Sequence, residues 1–591
     1  MRRLLVVVLI LTGAVLHAQG PDQPSRLASM VRNGQLRLSL DEAIALALEQ
    51  NLDVQLQRLG PALADTDVTR TLSGALARGV PVSVREGPKS IGAAGSDALA
   101  PVVGTGSETN LSIGSPSIGG PLPPSLDAVL VGRMARTHSA APQVNSFQVG
   151  TTSLVGDTSG WNVALQKGFL TGGSLAVSFE NSRQALNHPR YDLNPFQTSS
   201  LGVTFTQPLL RGFGPALNSR FIRIARNSRH QSDLVFQQQL ISTTAAVIRL
   251  YWDLVSLTEE IGVRRQAVER AERLLRDNQE HADVGTRAPI EVVRARAEVA
   301  RAERDLIVAQ GQRRQQETIL VDYLSLQTVS DPALAGVTIV PTDVLPLESR
   351  EPIPPTAELA DRALKDRPDI AQARVQIESS RAALTGSRNA RLPSLDLVAS
   401  ARTNGLAGDL NAVTVPGAGP HTTDPALIGS YGTALSQLYR RDFPDYGVAL
   451  QVAIPLQNRA ADADVARDRV TVRQQELRLR QLEKQVYVEI ENARIVLEQA
   501  GASVQAVVLE RELQEQALAA EEEKLAVGAS TSFVVIQYQR DLAQARSAEI
   551  AARAAYVKAM TALHRASGTL LDDYGITVVG TDIQHREGDL R

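Results

Sequence analysis

The chain has 591 residues, a formal net charge of -3 and no cysteine. The absence of cysteine excludes disulfides, thiolate metal sites and a lipid anchor on an N-terminal cysteine. The nearly balanced charge provides no basic field for nucleic acid. Aromatic residues make up only 4%, which is low for a protein with a single dense globular core.

The first residues, "MRRLLVVVLILTGAVLHAQG", predict a secretory signal peptide at residues 1–18, cleaved between Ala18 and Gln19. The alternative is an N-terminal membrane anchor, but the apolar run over residues 4–15 is shorter than the roughly 18 residues that a span needs. No later segment is apolar over that length. We therefore expect an exported chain that is either soluble or enters a membrane as β-structure.

Two long helical hairpins are predicted in the chain. "VGTRAPIEVV" and "VGASTSFVVI" each interrupt a long helical stretch, and a shift of 243 residues places Gly285 on Gly528. The long arms are predicted at residues 218–284 and 460–527, and the return arms at 288–327 and 531–567. At about 1.5 Å per residue the long arms are on the order of 100 Å in length.

The arms carry apolar residues at every seventh position, as in a coiled coil. In the first copy this series runs from Leu240 to Ala282, and in the second from Ile490 to Leu525, where Arg511 alone departs from the apolar rule. The return arms continue it. Their residues are Val293, Ala300 and Ile307 in the first copy and Ile536, Ala543, Ile550 and Val557 in the second.

A second internal similarity relates "DEAIALALEQNLDV" to "AELADRALKDRPDI", with a shift of 316 residues. This shift exceeds the first by 73 residues, so the first copy contains additional chain. The segment at about residues 85–160 is rich in Gly, Ser and Pro and has no helical period. We expect an irregular insertion there.

Alternating apolar residues predict a pair of strands before each long helix. The strand sequences are "SLAVSFE", "LGVTFTQPLL", "SLDLVAS" and "GVALQVAIPL". Polar segments at 181–200 and 402–446 are expected to join them, with "TNGLAGDL" as loop. Four strands cannot close a barrel, and unpaired strand edges are untenable in lipid. If the strands enter a membrane, several chains must share one barrel.

These features together resemble the TolC-like outer-membrane efflux protein family. The resemblance rests on "LSLDEAIALALEQN", "FTQPLLRGFGPALNSRFIRIAR", "AAVIRLYWDLV" and the two VG turns. It spans the mature chain from about residue 36 to 571, apart from the Gly- and Pro-rich insertion. It implies a mainly α fold with a membrane β-barrel. Coiled-coil hairpins would form an α-barrel, and four strands from each chain of a homotrimer would make twelve. The domains are residues 36–330 with the insertion, residues 355–571, and a tail at 572–591.

The resemblance also implies a function and its partners. The protein would be an outer-membrane exit duct of a tripartite efflux or type I secretion system that reaches into the periplasm. Transport would be passive, through a tunnel coupled to a periplasmic adaptor and an inner-membrane transporter. The strands would contact outer-membrane lipid. Pro208 and Pro455 would lie where the strands lead into the helices, since proline ends a ladder and presets a helix start.

By the same resemblance, the hairpin tips dock the adaptor and close the pore. The docking candidates are Val284, Gly285, Thr286, Val527, Gly528, Ala529 and Ser530. An aperture could involve Arg287, Glu291 and Arg294 from the first copy, or Gln537 from the second. The alternatives are that the glycines only form turns and that the charged residues only lie on solvated helix faces. No acidic residue occurs between Gly528 and Asp541, in contrast to many family members.

No catalytic or cofactor motif accompanies these features. The eight histidines are scattered, and no phosphate loop, nucleophile elbow or dinucleotide fingerprint is present. We therefore predict no enzyme activity, cofactor, metal or nucleic-acid partner. The remaining alternative function is that of a soluble periplasmic coiled-coil adaptor or scaffold.

Overall fold

The computed structural model describes residues 27, 30–32, 34–91, 109–113, 120–285, 288–325, 336–346, 353–414, 419–579 and 582–585. The predicted signal peptide with Ala18 and Gln19 lies outside the described residues, as do Thr286 and Arg287. Of the predicted C-terminal tail, residues 572–579 and 582–585 are described.

The described part of the chain combines long helices with long strands. The helices, in chain order, are α1 (Leu40–Gln50), α2 (Leu52–Leu72), α3 (Ser146–Val149), α4 (Pro215–Asn218), α5 (Arg220–Asp283), α6 (Pro289–Leu324), α7 (Thr356–Asp366), α8 (Pro368–Ala390), α9 (Tyr431–Arg440), α10 (Arg459–Ala526), α11 (Ser532–Ser567) and α12 (Leu570–Asp573), with a 3-10 turn at Pro425–Leu427. The strands are β1 (Gln35–Leu38), β2 (Val80–Val84), β3 (Thr109–Ile113), β4 (Val129–Pro142), β5 (Ser153–Gly168), β6 (Ser174–Leu186), β7 (Leu193–Pro208), β8 (Thr338–Pro341), β9 (Ser394–Leu410), β10 (Phe443–Ala453), β11 (Ile576–Val579) and β12 (Asp582–His585).

The two predicted helical hairpins are confirmed. The long helices α5 and α10 contain 64 and 68 residues, which corresponds to lengths of about 100 Å at 1.5 Å per residue. Eight of the thirteen predicted heptad residues of the long helices are buried, and the other five are half-buried. Leu240, Val247 and Leu254 are fully buried in α5, and Ile490, Leu497, Val504 and Leu518 are buried in α10.

The largest hydrophobic cluster of the described residues surrounds the middle of α5. Strands β1 and β8 pair in parallel beside it. The Tyr251 hydroxyl of α5 contacts the Leu38 carbonyl at 3.0 Å and the Asp343 carboxylate at 2.6 Å. Burial, together with Asp343, raises the pKa of Tyr251 above its ordinary value. These contacts join segments that are far apart in sequence around one long helix. Helix α5 also contains a window apolar enough to cross a bilayer, but 78% of that window is buried inside the protein, as in a core helix.

The main sheet has six strands, where we predicted four. Its order is β10-β9-β7-β6-β5-β4, and every neighbouring pair is antiparallel. The prediction of an irregular insertion at 85–160 was therefore wrong for residues 109–113, 129–142 and 153–160, which lie in β3, β4 and β5. Gly and Ser concealed the strand pattern because they occur on the same face as the apolar residues, as Gly132 does between Leu130 and Met134.

The strands also extend further than predicted. Residues 181–186 belong to β6, residues 193–200 belong to β7, and "TNGLAGDL" belongs to β9. Polar side chains do not end a strand when the backbone groups still pair with neighbours. The 402–446 connection also contains α9, which packs against β9 and β7 and was not predicted.

The remainder of the additional chain begins after α2 and returns to the end of that helix. The Leu126 N–H donates to the Ser73 carbonyl at 2.9 Å, so the chain between them forms a closed excursion. Within it, the Arg85 backbone bonds to the Gln239 side chain of α5, and the Ile91 N–H donates to Gln316 of α6 at 3.2 Å. In its described part, the excursion thus contacts α5 and α6 and precedes the β4–β5 hairpin.

Candidate functional site at the hairpin tips

Both long helices end in a glycine with left-handed backbone. Gly285 and Gly528 have φ of 77° and 78°, a region that side chains with a Cβ disfavour. In the second turn the Gly528 N–H donates to the Leu525 carbonyl at 3.1 Å, and the Ala529 N–H donates to the Lys524 carbonyl at 2.9 Å. This pair of bonds is a Schellman motif, which satisfies the last carbonyls of the helix.

The space beside each glycine is open. A Cβ added to Gly285 or Gly528 would meet no described atom within 4 Å. The requirement for glycine is therefore set by the backbone angle and not by steric contact. This openness leaves the surface at both turns accessible.

The two turns lie at the same end of the helical layer, in contact with each other's hairpin. The Ser532 hydroxyl of α11 donates to the Asn278 side chain of α5 at 2.9 Å. The Arg294 guanidinium of α6 lies 5.7 Å from the centre of the Phe533 ring. Neither contact was predicted, because single residues of this kind give no periodic signal.

A bidentate ion pair joins the return helices a few turns from the tips. The Arg540 Nε of α11 contacts the two carboxylate oxygens of Glu298 at 2.9 and 3.0 Å, and the Glu298 side chain is only 11% exposed. Bidentate pairs with Arg fix geometry as well as charge. The relative position of the two hairpins is thus set by a contact that sequence analysis missed.

The described aperture candidates differ in their surroundings. Glu291 and Arg294 form an ion pair at 3.1 Å on the first turns of α6. Glu291 is half-buried, whereas Gln537 is exposed on α11. Arg294 therefore connects an acid of its own hairpin to an aromatic ring of the other.

The second turn is braced by its own helix. The Ser530 hydroxyl and the Lys524 ammonium both contact the Glu521 carboxylate, the latter at 2.9 Å. Hydrogen bonds from Ser530 and then Lys524 hold the pKa of Glu521 below its ordinary value. Ser530 is thus committed to the turn, while Val527 and Ala529 are exposed.

The tips expose large apolar side chains. Val284 and Val527 are 74% and 79% exposed, and Ile290 and Phe533 are more than half exposed. Contiguous apolar exposure on a protein surface is typical of an interaction site. The tip residues thus combine a rigid backbone with an accessible apolar surface.

The prolines lie between strands and helices. Pro208 is the last residue of β7, ahead of α5. Pro455 lies two residues after β10, ahead of α10.

Comparison with known proteins identifies relatives of this architecture. The family model described as outer membrane efflux protein matches residues 174–325 and 359–569, more than half of the chain. No curated protein sequence matches the chain.

Solved structures of outer-membrane channels share the fold. The Campylobacter jejuni CmeC channel has 13% sequence identity and a TM-score of 0.56, covering 90% of this chain and 86% of its own. The Vibrio cholerae outer membrane protein VceC has 13% identity and a TM-score of 0.54, covering 90% of this chain and 96% of its own. The open Neisseria gonorrhoeae MtrE channel has 14% identity and a TM-score of 0.54, covering 90% and 89%. With the family match over both halves, the chain belongs to the outer membrane efflux protein family.

Proposed function

We propose that the protein is the outer-membrane exit duct of a tripartite efflux or type I secretion system. Three copies form one channel, with the main sheets in the outer membrane and the helical layers as a tunnel across the periplasm. Substrates cross by passive diffusion, driven by an inner-membrane transporter through a periplasmic adaptor. The observation that carries this proposal is that the helical layer has two unpaired edges. Both edge helices expose apolar residues, and they run in opposite directions, so the edge of one copy can pack on the edge of the next.

In the half that bears the tips, the helical layer has the order α10-α11-α5-α6. Next to the sheet, α8 packs against both α10 and α5, and α2 packs against α5. Helix α11 packs against α10 on one side and α5 on the other, and α5 packs against α6. The direction of the helices alternates along this order. Its edges are α6, which runs toward the sheet, and α10, which runs away from it. An edge-to-edge contact between copies would therefore be antiparallel, like the contacts inside the chain.

Both edges expose apolar residues with heptad spacing. On α6, Val293 and Ile307 are 62% and 68% exposed, although the equivalent α11 residues are buried or half-buried. On α10, Val488, Ile495 and Leu509 belong to one series of sevens and are about half exposed. An apolar heptad face is the surface that a coiled-coil partner covers.

A two-fold internal repeat explains which helices would meet. Two helices, a strand pair, a long helix and a return helix follow one another twice, as α1, α2, β6, β7, α5 and α6 and as α7, α8, β9, β10, α10 and α11, and the first copy has further strands before β6. Helix α11 of the second repeat packs on α5 of the first. The equivalent contact of the first repeat is α6 on α10, which is possible only between copies. A ring of copies completes the pattern, and the family resemblance indicates three.

The main sheet suits the outer membrane in the part next to the helices. Leu201, Val203 and Phe205 of β7 lie on one face, opposite Phe179, Val177 and Leu175 of β6. The other face carries polar groups such as the Arg402–Glu180 ion pair at 2.8 Å. Outer-membrane strands alternate in this way, with the apolar face toward lipid. A soluble adaptor or scaffold has no evident use for long strands with one exposed apolar face.

The exposed tips are the proposed docking surface for the adaptor. Val284, Val527 and Phe533 offer apolar contacts, and Glu291 with Arg294 forms a polar rim. These residues lie at the end of the tunnel far from the sheet, where an inner-membrane partner would approach.

Cell fractionation with electrophoresis of unheated samples tests the proposal. We expect the protein in the outer membrane as an oligomer that resists detergent and dissociates on boiling. An export assay in the native host with the gene deleted should show retained substrate, restored by the wild-type gene. A soluble periplasmic monomer would contradict the duct and favour the scaffold.

A further inference from the structure

The β4–β5 hairpin adds two regular strands to the edge of β6. Strand β4 pairs with β5 along its whole length, from Val129 opposite Gln166 to Pro142 opposite Ser153. Strand β5 pairs with β6 from Gly156 to Gly168 without a shift in register. The hairpin is therefore a continuation of the sheet and not a loop that folds away from it.

The hairpin has its apolar and polar faces in phase with the sheet. Leu130 lies opposite Leu165, which lies opposite Val177, so the apolar row of β6 and β7 continues to β4. Met134 and Trp161 extend it, and the Trp161 ring packs edge-on against Phe179 at 5.3 Å between centres. Next to the helices, up to Met134 and Trp161, the hairpin therefore has the alternation of a barrel wall. Beyond these residues, the same face carries the His138–Asp157 pair.

The polar face continues in the same way. Arg133 lies opposite Asn162, and Asn162 lies opposite Glu180. Glu180 in turn pairs with Arg402 of β9. One row of polar groups thus crosses the sheet from β4 toward β9.

Both ends of the hairpin are tied to the protein. At the end of the hairpin next to the long helices, the Gly168 N–H donates to the Ser125 carbonyl at 2.7 Å. At the far end, the Arg190 guanidinium of the β6–β7 connection lies 5.2 Å from the centre of the Phe147 ring in the β4–β5 connection. Contacts at both of its ends therefore hold the hairpin in the plane of the sheet.

The hairpin occupies the edge that a neighbouring copy would otherwise use. Within the chain, β7 of the first repeat pairs with β9 of the second, so the repeat predicts that β10 pairs with β6 of the next copy. Strand β5 already pairs with β6. The free edges are now β4 and β10, and all residues of both are exposed. The hairpin adds two strands, an even number, so the strands at the two edges still run in opposite directions. Closure of an antiparallel barrel requires this.

We propose that β4 of one copy pairs with β10 of the next, so that the barrel contains six strands from each chain. With the three copies of the proposed function, on which this inference rests, the barrel has eighteen strands and not twelve. Barrel diameter grows roughly linearly with strand number, so the outer-membrane pore would be about one and a half times as wide. Unpaired edges of β4 and β10 in lipid would instead leave their backbone N–H and C=O groups without hydrogen-bond partners.

Cysteine cross-linking identifies the strand that β10 meets. The chain has no cysteine of its own, so engineered pairs react alone. Ala449→Cys on the polar face of β10 is combined in turn with Val131→Cys, Ala135→Cys and Thr137→Cys of β4, which share that face. The competing pairs combine Ala449→Cys with Ala176→Cys, Ser178→Cys and Ser182→Cys on the same face of β6. Ala164→Cys with Ser178→Cys, opposite each other in β5 and β6, reports cross-linking within the chain.

Intact outer membranes are treated with a short thiol cross-linker and analysed on heated, non-reducing gels. We expect at least one β4–β10 pair to give covalent dimers and trimers, and the β6–β10 pairs to give none. Dimers from a β6–β10 pair would overturn the widened barrel alone, as would a lack of dimers from every pair while the Ala164–Ser178 control reacts. A monomer on the unheated gel would overturn the proposed duct itself.

Discussion

Arg511 is a charged residue in a series of apolar heptad positions. Its guanidinium contacts Glu549 of α11 at 2.6 Å and Glu515 at 3.1 Å. Glu515 also contacts Arg546 at 2.6 Å. The packing position is thus filled by a network of charges that joins α10 to α11. Networks of this kind contribute more than isolated surface pairs because their groups are already ordered.

The network predicts a dependence of stability on pH. Hydrogen bonding and charge from Arg546, with further charge from Arg511, hold the pKa of Glu515 below its ordinary value of 4.5. A carboxyl with a lowered pKa in the folded state stabilises the fold above its unfolded pKa, and this contribution is lost as the pH falls through the folded pKa. Glu515→Gln should therefore lower the melting temperature at pH 7, and its difference from wild type should shrink below about pH 4.5.

Glu510→Gln is a matched control, since Glu510 is an exposed carboxylate on the same helix. It should leave the pH dependence unchanged. If Glu515→Gln differs from wild type equally at pH 7 and pH 4, the carboxylate does not act through its charge.

The turn glycines give a second prediction at this scale. Replacing Gly285 or Gly528 by Val forces a β-branched residue to φ near +77°, with roughly 1–2 kcal/mol of local strain. We expect the turn to change shape, export to be abolished and the trimer to remain. The measurements are the export assay and electrophoresis of unheated samples.

Gly336→Val is the matched control, because Gly336 has the same φ of 77° and equally open surroundings. It lies next to β8, away from the tips, and should keep export. Normal export in both tip variants would show that the tips do not dock the adaptor.

At the scale of elements, the exposed heptad of α6 is the surface that we expect the α10 of a neighbouring copy to cover. Ile307→Glu places a charge in this seam. Since the side chain is 68% exposed in the single chain, the fold of the chain should persist while the oligomer is lost. The measurement is the ratio of oligomer to monomer on an unheated gel, with circular dichroism to confirm helix content.

Val344→Glu provides the comparison for this variant, because Val344 is 74% exposed but lies outside the heptad seams. It should assemble normally. A stable oligomer with Ile307→Glu would remove the α6 edge from the assembly.

The same elements explain what could be predicted from the sequence. The ends of the long helices were predicted to within two residues, because each helix has a long series of heptads and is followed by a glycine. The β4–β5 hairpin was missed, since Gly132, Gly156 and Gly160 interrupt an alternation that backbone pairing maintains. The contacts between the tips, such as Ser532 with Asn278, could not be predicted because they depend on the packing of two distant hairpins.

At the scale of the whole molecule, the sheet and the helical layer each have two unpaired edges, and their elements follow the same order from one edge to the other. Strand β10 leads into α10 at one edge, and β7 leads into α5 in the interior of both layers. The opposite edges are β4 in the sheet and α6 in the helices. A single rotation of copies can therefore close both layers at once, as cyclic assemblies with head-to-tail interfaces do.

The most direct test of the duct is electron microscopy of the protein extracted from outer membranes in detergent. We predict a hollow particle with threefold symmetry in end view and a helical tube on the order of 100 Å long in side view. A single copy without a lumen, or a ring that leaves the α6 and α10 edges uncovered, would contradict it.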